Sequence, residues 1–96
     1  MAKIDLTVAA ERDLTDIYDY TFREYGERQA DRYLQSLEDC FQRLASHPLM
    51  ARSAERLRPG YRKFEHAKHV IFFVTIDDGI RIVRVLHQRM DAPRHL

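Results

Sequence analysis

The 96-residue chain has little of what usually signals a covalent staple or a membrane address. It carries one cysteine, Cys40, so an internal disulfide framework of the kind small secreted domains use is excluded. That usage fits a reducing compartment, and a cytoplasmic location is expected. No charged leader followed by an apolar stretch opens the sequence, and no apolar run approaches the ~20 residues of a membrane-crossing helix, so no membrane partner is expected. Repeats, linkers and low-complexity segments are missing as well. What remains reads as a single domain over residues 1–96. A chain of this size buries roughly 60–65 per cent of its unfolded surface, so it can fold without help from metals or disulfides, and no cofactor is expected.

The overall charge of +1 conceals a division at Arg56. Residues 1–55 hold 7 Lys or Arg against 11 Asp or Glu, a net −4, whereas residues 56–96 hold 9 against 4, a net +5. The two halves therefore present opposite fields. A basic second half attracts nucleic acid or an acidic protein segment, and composition alone does not choose between them.

Lys3–Val8 alternates apolar and polar residues, the period of a half-buried strand. From Ala10 the period lengthens. Leu14, Ile17, Tyr18, Thr21 and Tyr25 then share one helical face, with Arg12, Asp13, Asp16 and Asp19 pointing away, until Gly26 stops the helix. A second helix from Glu27 shows Tyr33, Leu34, Leu37, Phe41 and Leu44 at spacings of three and four, and Pro48 ends it soon after His47. Three strands follow, at Tyr61–Glu65, His69–Ile76 and Ile80–Gln88, with Asp78-Gly79 expected to supply positive φ in the last hairpin. The final strand is apolar on both sides, through Ile82 and Leu86 on one and Val83 and Val85 on the other, as an internal strand is. Strand one is placed beside it, and the strand bearing Lys63 and Glu65 is left as a charged edge. The expected architecture is an α+β fold in the order β-α-α-β-β-β, with a helical hairpin packed on one face of a mainly antiparallel sheet.

The strings LRPGYRKF, HVIFF and RIVRVLHQRMD, in that order and preceded by AxxDLxxIYxYTxxxYG, resemble the ParE branch of the ParE/RelE superfamily of bacterial toxin-antitoxin modules. The resemblance covers nearly the whole chain. It implies a small toxin held inactive by a ParD-type antitoxin, with DNA gyrase as the usual target of the branch, and non-enzymatic inhibition. It also links the C-terminal end to toxicity, which makes Arg89, Met90, Asp91 and Arg94 candidates for target contact.

Other candidates come from the residues themselves. The aromatics of the first helix outnumber what one stripe buries, so Tyr20 and Phe22 are expected to line an exposed apolar groove suited to an amphipathic partner helix. Arg58, Arg62, Arg81 and Arg84 are suited to the carboxylates of an acidic antitoxin segment, or equally to the acidic first half of this chain. Arg84 lies between Ile82 and Leu86, so it is expected to be partly buried and to need a partner. The runner-up reading is a RelE-like ribosome-dependent mRNA endonuclease, with those arginines as cations and His87 as acid or base. A non-toxic binding module is the third. Regular alternation puts Arg81 and His87 on one side of the last strand about 20 Å apart, too far for one phosphate, and direct nucleic-acid binding is not expected. His66 and His69, with His87 or His95, make a poor zinc signature because no carboxylate or cysteine stands at ligand spacing.

Overall fold

Residues 2–96 are described by the structure, a computed structural model. They run β1 (Lys3–Leu6), α1 (Val8–Tyr25), α2 (Glu27–Ser46), a 3-10 turn (Pro48–Met50), β2 (Arg52–Ser53), β3 (Arg62–His66), β4 (His69–Ile76), β5 (Gly79–His87) and one helical turn, α3 (Ala92–His95). The sheet order is β1-β5-β4-β3-β2. β1 runs parallel to β5 and every other pairing is antiparallel. The expected α+β architecture and the placing of strand one beside the last strand both hold. The Lys63 strand is not the edge, however. Arg52–Ser53 pairs with Arg62–Lys63, the first two residues of that strand, and leaves Glu65 uncovered; β2 is too short to leave a period-2 signal.

β1 gives way to α1 at Thr7, whose Oγ1 accepts the Ala10 N–H at 3.0 Å and donates to the Val83 carbonyl at 2.7 Å. A hydroxyl that caps the helix and ties it to β5 starts α1 at Val8, two residues before the apolar pattern suggests. Gly26 joins the helices at φ 92°, a conformation that a side chain would strain. α2 supplies most of the helical side of the core: Leu37, Cys40, Phe41 and Leu44 pack on Ile71, Phe73, Ile80 and Ile82 of the sheet.

Two details of β4 and β5 depart from the regular pattern. The hairpin turn is Asp77-Asp78, and neither these residues nor Gly79 have positive φ. Gly79 is required for another reason: a Cβ there would stand 1.9 Å from the Lys3 carbonyl oxygen, so only glycine lets β1 approach. The left-handed residue sits in the preceding hairpin, at Ala67 (φ 51°). Second, Phe73 pairs with Ile82 while Phe72 pairs with Arg84, which leaves Val83 as a bulge. The bulge shifts the phase of the strand. Val85 and His87 therefore join Ile80 and Ile82 on the helix side, and Arg84 joins Arg81 on the outer side. The expectation that Arg81, Val83, Val85 and His87 share a side fails for this reason.

The outer face also holds apolar residues. Phe72 and Leu86 are only 3% and 2% exposed. α3 is tied to this face, where Arg84 Nη1 donates to the His95 carbonyl at 2.8 Å and Arg58 Nη2 to the Leu96 carbonyl at 3.0 Å. Short and polar, the segment after Met90 reads in sequence as a frayed tail. Two arginines nevertheless give it a fixed seat.

Candidate functional site

A groove of about 690 Å³ lies between α1, the start of α2 and the corner formed by the β3–β4 turn and the end of β5. Three large hydrophobic side chains of its lining are exposed: Tyr20 at 55%, Tyr25 at 64% and Met90 at 47%. Asp13, Asp16 and Lys68 add charge, and Tyr33, His69 and His87 are half-buried beneath. Large exposed aromatics around a concave surface mark a place where another molecule docks.

The polar groups below are bonded in a specific way. Tyr33 Oη lies 2.6 Å from His69 Nδ1, and the His69 and His87 rings meet edge to face at 5.5 Å. The Arg89 N–H donates to His87 Nδ1 at 3.1 Å, which requires that nitrogen to be unprotonated. Ser36 Oγ gives its one proton to the Tyr33 carbonyl at 2.7 Å, so it must accept from His66 Nε2 at 3.0 Å. Burial first, then the neighbouring His87 and His66, push His69 down from 6.5 to about 4. Burial also lowers His66, with Arg43 adding to the effect, and it raises the Tyr33 phenol. The neutral His66 and His69 rings, bonded to Ser36 and Tyr33, and the His87 ring against His69 make a rigid floor suited to apolar contact.

Beside this floor stands an ion pair that links the faces of the sheet. Arg84 donates through Nε and Nη2 to the two carboxylate oxygens of Asp13, each at 2.8 Å, and the Val85 N–H donates to the same carboxylate at 2.9 Å. The side chains are only 21% and 11% exposed, and the bond to Asp13 raises the Arg84 pKa. Arg84 is thus partly buried and partnered, as its neighbours in sequence suggest. Its partner is Asp13, which the helical pattern had turned to solvent.

Over residues 4–92 the sequence matches the family described as ParE toxin of the type II toxin-antitoxin system parDE. The chain belongs to this family of toxins. Toxin ParE1 of Mycobacterium tuberculosis (strain H37Rv) is 42% identical over 92 residues, which span 95% of this chain and 94% of that protein. Toxin ParE1 of Caulobacter vibrioides is 38% identical, over 95% and 94%, and Toxin ParE of Escherichia coli 36%, over 95% and 89%. Of the solved structures, the chromosomal ParDE system from P. aeruginosa superposes with a TM-score of 0.74 at 22% identity, over 91% of this chain and 96% of that one. The YoeB–YefM complex from Staphylococcus aureus gives 0.60 at 13%, over 91% and 97%. These two likenesses show a shared RelE/ParE-like fold.

Within this ParE-family toxin the candidate residues fall into separate places. Tyr20 lines the groove, whereas Phe22 is exposed outside it, with its ring 6.3 Å from that of Tyr18. Arg62 Nη1 donates to the Ala51 carbonyl at 2.9 Å, and Arg81 meets Asp5 at 3.3 Å on the exposed outer face. Met90 forms part of the groove wall. Arg89 is exposed just before it, and Asp91 and Arg94 face each other at 3.6 Å in the open. The pattern of α1 turned Tyr25 toward the core, but it is the last residue of the helix and is 64% exposed. His66, His69 and His87 do stand side by side, with His95 held on the other face. Among the described residues no group of three or more His, Cys, Asp or Glu is arranged to hold a metal, and no helix is long and apolar enough to cross a membrane.

Proposed function

We propose that this protein is the toxin half of a ParDE-type pair, and that its cognate ParD-type antitoxin neutralises it by laying an amphipathic segment in the groove and reaching over the arginine-bearing outer face. The exposed Tyr20, Tyr25 and Met90 around a rigid, neutral floor carry this reading, because an apolar helix face finds there the rigid aromatic anchors that dominate binding energy. The free toxin acts by binding DNA gyrase, with Arg89, Met90, Asp91 and Arg94 as its contacts. In favour of binding over RNA cleavage, the groups that phosphate chemistry needs are divided. His87 faces the groove, while Arg81 and Arg84 sit on the other side of the sheet, each already paired with a carboxylate. A cytoplasmic site of action follows from a gyrase target.

The test is direct. Purified gyrase should lose supercoiling activity as the toxin is added, and the antitoxin encoded beside it should restore activity at stoichiometric amounts. Unchanged supercoiling together with codon-dependent cutting of ribosome-bound mRNA would replace this reading with the endonuclease.

A further inference from the structure

The Asp13 carboxylate has a double position. It belongs to the lining of the groove, yet all its strong bonds point into the protein, to Arg84 Nε and Nη2 and to the Val85 N–H. The remaining Arg84 nitrogen, Nη1, reaches across to the His95 carbonyl at 2.8 Å and so holds α3 on the outer face. The same segment begins in the groove, where Met90 forms part of the wall. Residues 87–96 thus start at one surface and end at another, and a single guanidinium joins the two.

We propose that Asp13 and Arg84 are positioning residues that couple occupancy of the groove to the seating of α3, so that each stabilises the other. This rests on the groove being the antitoxin's site. The sign of the coupling follows from the bonding. A carboxylate offers about four acceptor positions, and three of those on Asp13 are filled, so an incoming cation finds little to displace. An apolar segment laid across the groove removes water from beside the pair, and two charges attract more strongly as the surrounding dielectric falls. An occupied groove therefore grips Arg84 more firmly, and Arg84 grips α3. By linkage the seated turn strengthens antitoxin binding by the same factor. Neutralisation then includes holding the turn that bears Arg94 more firmly on its seat, without the need to cover all of it.

The experiment measures backbone 15N order parameters of residues 92–96 in the free toxin and in its complex with the cognate antitoxin, together with antitoxin affinity. Arg84→Lys keeps the charge but loses the fork that bridges Asp13 and His95. It should lower those order parameters from about 0.8 to below about 0.6 and weaken binding roughly fivefold even for an antitoxin peptide trimmed to the segment that fills the groove, which does not reach Arg84 on the outer face. Asp13→Asn, which retains an acceptor for the Val85 N–H, should loosen the turn in the same way and serves if the lysine variant folds poorly. Deleting residues 92–96 should cost similar affinity, and adding Arg84→Lys to the deletion should cost nothing more, because coupled groups lose their contribution once. Losses that add, or an α3 equally ordered in all variants, would overturn the coupling. A wild-type toxin that does not bind the antitoxin would overturn the groove assignment and the coupling with it, while order in the free variants still decides whether Arg84 positions α3.

Discussion

α1 and α2 are of similar length and lie side by side on the same sheet, yet they divide their apolar residues differently. α2 buries Ala30, Leu37, Cys40, Phe41, Leu44 and Ala45 along most of its length. α1 buries only Ala10, leaves Leu14 and Ile17 half-covered, and exposes Val8, Tyr20, Phe22 and Tyr25. Both helices are amphipathic, but only one spends its whole stripe on the fold. α2 makes the domain stable, while the second half of α1 keeps aromatic surface that folding does not need. Asp13, in the first half of α1, ties the helix to β5, whereas Tyr20, Phe22 and Tyr25 in the second half stay open to solvent.

The contrast can be broken in several ways. Leu37→Ala, in the fully buried stripe of α2, should destabilise the protein by about 2–5 kcal/mol in urea unfolding, and a loss below 1 would mean that the core is looser than the packing implies. Arg84→Ala strips the anchor of α1 and leaves Asp13 unpaired. About 2–4 kcal/mol should be lost, less than a fully buried pair because these groups keep some solvent contact. Tyr20→Ala should behave in the opposite sense, changing stability by under about 0.5 kcal/mol while weakening antitoxin binding by about 2 kcal/mol. If calorimetry shows binding intact, the exposed half of α1 is not the contact.

A pH experiment sharpens the comparison from the floor of the groove. His69 titrates near 4 in the fold, chiefly because it is buried, against an ordinary value of about 6.5. The unfolded chain therefore takes up a proton that the fold refuses. This stability is fully present above about pH 6.5, declines as pH falls, and is gone by about pH 4, a loss of about 1–2 kcal/mol after allowance for partial solvent contact. Urea midpoints at pH 7.5 and 4.5 measure it, and His69→Gln should flatten the profile. Arg94→Ala is the smallest effect, under about 0.5 kcal/mol on melting, because both members of its pair with Asp91 are exposed.

Much of this is legible in the sequence because periodicity reports burial on one face. The α2 stripe, the β4 alternation and the exposed Tyr20 all follow from it. The failures share a physical origin, in that each depends on a contact distant in the chain. Asp13 looks like a solvent-facing helical carboxylate until Arg84, 71 residues away, is placed against it, although the need of Arg84 for a partner was the available clue. Gly79 resembles a turn glycine because the backbone of Lys3 that excludes a side chain there lies in β1. The Val83 bulge inverts the facing of everything after it, and nothing in IVRVLH reveals one extra residue. The place of His87 in the histidine floor is hidden for the same reason, since strict alternation puts it with Arg81.

The Lys3–Gly79 contact also bears on when the molecule becomes whole. β1 pairs with a strand 76 positions further along the chain, so its partner does not yet exist for most of translation. At about 5–20 residues per second, several seconds separate synthesis of the first strand from that of its mate, and long-range pairing of this kind closes late in folding. A nascent chain therefore carries the helices, and much of the aromatic surface on α1, before it carries a finished sheet. That aromatic surface is thus open to other molecules before the sheet is complete.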